Sequence, residues 1–148
     1  MISLKEVDKT NWIDCVRLSL HPEQENFVAS NSDTIAESKF ETHHQVRAIY
    51  NDDTVIGLLS YCHEDEPLDL TLYWLFRFMI DKQYQGQGYG HKALELAVGE
   101  MTSVGANRIQ TMHKPSNHNA AALYRNYGFE EIGTLDDGDT LLQLKVAC

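Results

Sequence analysis

The chain has 148 residues, with 12 Lys and Arg against 22 Asp and Glu, for a formal net charge of −10. That length suits a single domain (residues 1–148) with a core of its own, and the acidic balance argues against nucleic-acid phosphates as partners. No apolar run approaches the roughly eighteen residues of a membrane span, no basic-then-apolar start marks a secretory signal, and the scattered cysteines Cys15, Cys62 and Cys148 make no disulfide framework. The expectation is a cytoplasmic protein with reduced thiols.

In chain order, Ile2–Val7 alternates and predicts a strand. Thr10–Leu20 places Trp12, Ile13, Val16 and Leu20 at helical spacing, with Thr10 or Asn11 to cap it. Ser30–Phe40 predicts a second helix behind cap-type residues. Gln45–Tyr50, a turn at Asn51–Thr54, and Val55–Cys62 predict a hairpin. An acidic loop, His63–Asp69, leads to a long strand, Thr71–Ile80. A helix follows around Leu94, Ala97, Val98 and Met101, with Gly105 near its end. Arg108–His113 predicts a strand, Asn119–Phe129 a short helix stopped at Gly128, and Glu130–Leu135 with Thr140–Val146 a second hairpin. The order β-α-α-β-β-β-α-β-α-β-β implies an α/β (α+β) architecture, a mixed sheet with helices on its faces.

Between the long strand and the next helix stands Gln85-Gly86-Gln87-Gly88-Tyr89-Gly90. A glycine-rich entry to a helix offers free amides at the positive end of the helix dipole, which suits a phosphate. A turn that needs positive φ is the plainer alternative. A dinucleotide fingerprint fails because His91 occupies its last glycine position. A P-loop fails because His91 stands between glycine and Lys92, and Ala93 replaces the metal-binding hydroxyl.

Gln85, Gly88 and Gly90 match the Q/R-x-x-G-x-G/A signature of the GCN5-related N-acetyltransferases (GNAT), which this chain resembles. Asn119, Ala122, Leu123, Tyr124, Gly128 and Phe129 match that family's N-x-x-A-x-x-L-Y-x-x-x-G-F pattern. The resemblance implies a GNAT fold with a central sheet of about seven strands, splayed at its centre. It implies acetyl-coenzyme A (coenzyme A) as co-substrate, its pyrophosphate on the amides of Gln85, Gly86, Gln87, Gly88, Tyr89, Gly90 and His91. The pantetheine arm would run along Phe78, Met79 and Ile80, with Asn119 on its other side. A homodimer is a further implication.

Acetyl transfer from a thioester to an amine needs a neutral amine, a donor for the oxyanion and a proton for the departing thiolate. Tyr124 is the expected general acid. For the base and the acceptor the candidates are Glu23, Glu25, His113 and the acidic loop His63–Asp69, and Glu37 joins them as a binder. A water chain to bulk would serve equally as base. Arg77, inside an apolar strand, predicts an internal ion pair. Neither His43-His44 nor His113/His118 has the i, i+4 spacing of a helical metal site, so no metal is expected.

The segments His21–Ser38, Tyr73–Gly90 and Gly133–Val146 further resemble the bacterial spermine/spermidine (diamine) acetyltransferases. That likeness implies a polyamine acceptor, a polycation that an acidic cleft would select. Acetyltransferases for amino acids, aminoglycosides or peptide N-termini share the cofactor half and remain alternatives, as does a non-catalytic acyl-CoA-binding module.

Overall fold

The computed structural model describes residues 1–146, so Cys148 lies outside it. The elements are β1 (Ile2–Glu6), α1 (Trp12–Val16), α2 (Asn31–Phe40), β2 (Gln45–Asn51), β3 (Thr54–Asp65), β4 (Leu68–Ile80), α3 (Tyr89–Ser103), β5 (Arg108–His113), α4 (His118–Tyr127), β6 (Glu130–Thr134) and β7 (Thr140–Lys145). The strands form one seven-stranded sheet ordered β1-β2-β3-β4-β5-β7-β6, and only β4 and β5 pair in parallel. No helix among the described residues is long and apolar enough to cross a membrane.

Strand alternation buries a different set of side chains on each face. Ile49, Ile56, Leu59, Leu75, Ile109 and Leu142 pack with Leu94, Ala97 and Met101 of α3 and with Tyr124 of α4. On the opposite face Val46, Ala48, Leu58 and Met79 pack with Cys15 of α1, and Ile35 of α2 closes over them. Helices thus cover both faces, as expected of a GNAT fold.

Two elements depart from the sequence expectation. Helix α1 ends at Val16 instead of Leu20, and its buried side chain is Cys15, while Trp12 and Ile13 stay exposed. Beyond the helix, the Ser19 amide donates to Asp81 Oδ1 at 2.8 Å and the Ser19 carbonyl accepts from the Lys82 amide at 2.8 Å. These bonds hold the chain off the helix, so Leu20, four residues after Val16, reaches the core from a loop, as does Leu18. The acidic loop is the second departure. His63, Glu64 and Asp65 belong to β3, and Leu68 and Asp69 to β4, with Asp65 paired to Leu68 across a tight turn. Trp74 Nε1 donates to Glu64 Oε2 at 3.0 Å, and Arg108 meets Asp69 at 2.6 Å, so these charges serve the hairpin locally.

The centre of the sheet opens. Pairing between β4 and β5 runs from Leu72–Arg108 to Leu75–Thr111 and stops there. On the other edge of β4, Ser60 faces Arg77 and Tyr61 faces Leu75, so Phe76 is an extra residue that bulges the strand. From Arg77 to Ile80, β4 stays paired with β3 and is no longer paired with β5. That contact is tight: a Cβ on Gly57, which pairs with Ile80, would stand 2.5 Å from the Met79 carbonyl oxygen. Gly57→Ala is therefore expected to destabilise the protein by about 2 kcal/mol, read as a lower urea midpoint at unchanged slope. An unchanged midpoint would show that β3 and β4 have slack there.

Candidate active site

Where β4 and β5 part, two adjoining cavities of about 360 and 390 Å³ share Phe27, Val28, Phe78, Asn117, Ala120 and Tyr124 as a common wall. The first continues along Phe78, Met79 and Ile80 to Gln85, Gly86 and Gly90, with Asn119 and Leu123 of α4 opposite. The second is bounded by Glu25, Arg77, Thr111, His113, Lys114 and Asp139. Tyr124 stands at their junction.

The first cavity ends at the glycine loop. Gly86 and Gly88 have φ of 78° and 84°, and Gly88 is the cap residue before α3. A β-carbon disfavours that backbone region, which accounts for glycine at both positions. No hydrogen bond among the described residues uses the amides of residues 85–91 as donors, and the first bond of α3 runs from the Lys92 amide to the Gly88 carbonyl. Free N–H groups therefore gather at a helix N-terminus, where the dipole favours an anion. The arrangement suits a pyrophosphate, and the unpaired edge of β4 from Phe76 onward suits an extended chain with amide groups of its own.

The loop is anchored through side chains. Gln85 Nε2 donates to the Ile80 carbonyl at 2.9 Å, and Gln85 exchanges 3.0 Å bonds with Gln24. The Gln85 side chain thus fixes the loop to β4. Gln87 reaches the Gln83 carbonyl, Tyr89 accepts from Asn51 Nδ2 at 3.3 Å, and the His91 ring lies 5.7 Å from that of Tyr127. Those three side chains stay outside the cavity walls.

Tyr124 is 5% exposed, and burial pushes its phenol up to about 12, with the Thr111 side chain pulling slightly the other way. It is neutral at pH 7 and can donate a hydrogen bond. Across the second cavity, buried His113 places Nδ1 2.8 Å from the Lys114 carbonyl. A carbonyl only accepts, so Nδ1 carries the hydrogen. In the neutral ring Nε2 then holds the lone pair, and it is buried without a partner among the described residues.

The acidic candidates separate. Glu25 lines the second cavity. Glu23 is exposed, on the 3-10 turn Pro22–Gln24, and belongs to neither wall. Glu37 lies behind the wall, 3.8 Å from Arg77 and 3.7 Å from His44. The ion pair expected of Arg77 is therefore present but loose, and its buried Nε has no partner. Three residues of the cavity walls, Phe27, Val28 and Asp139, had no mark in the sequence. Phe27 and Val28 roof both cavities from an apparently ordinary loop, and Asp139 sits in what reads as a plain turn, 3.6 Å from Lys114. Asp81 is buried and binds the amides of Ser19 and Gln83 with its two oxygens; a lone acid ending an apolar run was the available signal.

Residues 7–129 match the model of the acetyltransferase (GNAT) family, and the chain belongs to that family. It is 27% identical over 139 residues to a probable spermine N(1)-acetyltransferase of Bacillus subtilis subsp. natto (strain BEST195), covering 91% of both chains. The same identity and coverage hold for the spermine/spermidine N(1)-acetyltransferase of Bacillus subtilis (strain 168). Among solved structures, the PaiA N-acetyltransferase of Thermoplasma acidophilum in complex with coenzyme A superposes with a TM-score of 0.72 at 17% identity, covering 99% of each chain. Its likeness concerns the fold.

A Cβ on Gly88 would meet nothing within 4 Å, so the constraint there is the backbone angle. Gly88→Val is expected to reorient the free amides and weaken coenzyme A binding at least tenfold by calorimetry, with unfolding changed by only about 1 kcal/mol. Undiminished affinity would remove the loop from the binding site.

Proposed function

We propose that this protein is an acetyl-CoA-dependent N-acetyltransferase that acetylates a primary amine, with a polyamine such as spermidine or spermine as acceptor. The observation that carries this reading is the row of unused amides at residues 85–91, continuous with the free edge of β4 and ending beside the Tyr124 phenol. Gly86, Gly88 and Gly90 hold those amides open to the pyrophosphate. The main chain of Phe78, Met79 and Ile80 pairs with the pantetheine arm, and Asn119 faces it from α4. Acetyl-CoA supplies an acetyl group activated as a thioester.

The protein's own groups handle the protons. An alkyl ammonium near pKa ~10 is charged at pH 7 and must lose a proton to attack. His113 Nε2 is a buried acceptor on the amine side of the junction and takes that proton, directly or through water. A main-chain N–H near Phe78 or Met79 steadies charge on the carbonyl oxygen. Tyr124 then donates to the leaving sulfur. With its phenol at about 12, full transfer to a thiolate whose conjugate acid lies near ~8.5 is uphill by about 5 kcal/mol. Tyr124 therefore stabilises the sulfur as a hydrogen-bond donor while the surplus proton comes from the amine.

Support for a polyamine comes from the names of the two Bacillus relatives, from the net charge of −10 and from Glu25 and Asp139 at the acceptor cavity. A second reading has an observation of its own. Arg77 and Lys114 line the same cavity and balance the two carboxylates, which suits an amine that also bears a carboxylate, as an amino acid or peptide N-terminus does.

An acceptor screen with acetyl-CoA and a thiol-reactive dye separates these readings. Spermidine and spermine are expected to give the highest kcat/KM; turnover confined to amino acids or peptides would reject the polyamine and keep the enzyme class. Tyr124→Phe is expected to lower kcat about a hundredfold and leave the coenzyme A dissociation constant within about twofold. Equal turnover in that variant would take Tyr124 out of the chemistry.

A further inference from the structure

Outside both cavities, a second group of reactive side chains converges at the end of the β2–β3 ladder. His43 and His44 immediately precede β2, whose first residue, Gln45, pairs with Tyr61. The antiparallel register carries the histidine pair to face Cys62 and His63. One ligand atom from each of His43, His44 and Cys62 lies within 4.8 Å of the others. The His43 ring is centred 4.7 Å from that of His44 and 5.1 Å from that of His63. His63 Nδ1 donates to the Glu64 carbonyl at 3.0 Å, which leaves Nε2 of the neutral ring as its free acceptor. A second observation points the same way. Glu37 Oε1 is buried and without a hydrogen bond, yet stands 3.7 Å from His44 Nδ1.

We propose that His43, His44 and Cys62 form a binding site for a divalent transition-metal ion of the zinc type, with a solvent molecule in the fourth position. Imidazole and thiolate are the donors that zinc prefers over oxygen-seeking cations. Zn–N near ~2.0 Å and Zn–S near ~2.3 Å require ligand atoms roughly 3.3–3.5 Å apart in a tetrahedron, inside the 4.8 Å within which they all lie here. Side-chain rotation supplies any contraction needed. Burial is the main influence that holds the Cys62 thiol protonated, so a metal must displace that proton; the carboxylates of Glu64, Glu37 and Asp65 add a field that favours a dication, with Arg77 opposing them. Coordination balances as M²⁺ + Cys62–SH → M–S–Cys62 + H⁺, with the proton released to solvent. A metal-bound His44 turns its Nδ1–H toward Glu37, the carboxylate backing common behind metal-bound imidazoles, and this gives Oε1 a hydrogen bond beside its loose 3.8 Å pairing with Arg77. The ion lies one side chain behind the acceptor cavity: His44 meets Phe76 edge-on at 5.1 Å, and Phe76 lines that cavity with Arg77. Local spacing conceals the site because its ligands come from a loop and a facing strand. It stands apart from the acetyl-transfer residues and does not depend on the reading proposed for them.

The test uses untagged, chelator-treated full-length protein titrated with Co²⁺ and followed by absorption. One equivalent per chain should produce a thiolate-to-cobalt charge-transfer band with intense tetrahedral d–d bands, and Zn²⁺ should abolish both. Cys62→Ser should remove the charge-transfer band, while the double variant Cys15→Ser/Cys148→Ser should retain it. His43→Ala and His44→Ala should each weaken binding at least tenfold, and Glu37→Gln about tenfold. Zn²⁺ should raise the melting temperature of the parent and not of His44→Ala. Weak octahedral cobalt spectra in the parent, a charge-transfer band that survives Cys62→Ser, or full affinity in both histidine variants would overturn the proposal. The parent's spectrum decides the matter even where Cys62→Ser fails to fold.

Discussion

The structure depends on the parting of β4 from β5 after Leu75 and Thr111. A sheet normally pairs every central strand on both edges, because an unpaired buried N–H or C=O costs about 1–3 kcal/mol. Here the bulge at Phe76 lets β4 keep β3 as partner and leave β5. Thr111 Oγ1 donates to the Leu75 carbonyl at 2.9 Å and closes the apex of the wedge. Beyond it lie both cavities, the shared wall with Tyr124, and a free strand edge pointing at the glycine loop. The right-handed crossover through α3 brings that loop to the open end. An apolar strand can therefore be core on one side of its length and binding surface on the other.

Charge acts on two scales. The net −10 is spread over the whole surface, whereas the wall of the second cavity holds Glu25 and Asp139 against Arg77 and Lys114. In the reading proposed above, those four groups and His113 bear on the acceptor more directly than the overall field does. Glu23 in solvent and Glu37 behind the wall contribute to the first scale and not to the second.

Much of this was legible in the sequence. The strands of both hairpins show because one face of each is buried, and the glycine loop shows because positive φ and an open helix start leave a compositional trace. The helix carrying Tyr124 shows for a similar reason, with Gly128 after its last turn. What was hidden is long-range. Leu20 mimics a helical position because burial alone sets its hydrophobicity, while the bonds on Ser19 that end α1 reach Asp81, 62 positions away, and its neighbour Lys82. The charges from His63 to Asp69 suggest a solvated loop, but Trp74 and Arg108 pair with them across neighbouring strands. Phe27 and Val28 carry no pattern, because a roof needs only shape.

Asp81 has a mechanical consequence. One carboxylate grips the Ser19 amide with one oxygen and the Gln83 amide with the other, and the Gln24–Gln85 pair fastens the same two segments a few residues on. The segment that leads into the cavity roof and the segment that leads into the glycine loop are thereby riveted into one plate at the tip of β4. Neither can swing without dragging the other, so whatever steadies the glycine loop also stiffens the ceiling over both cavities.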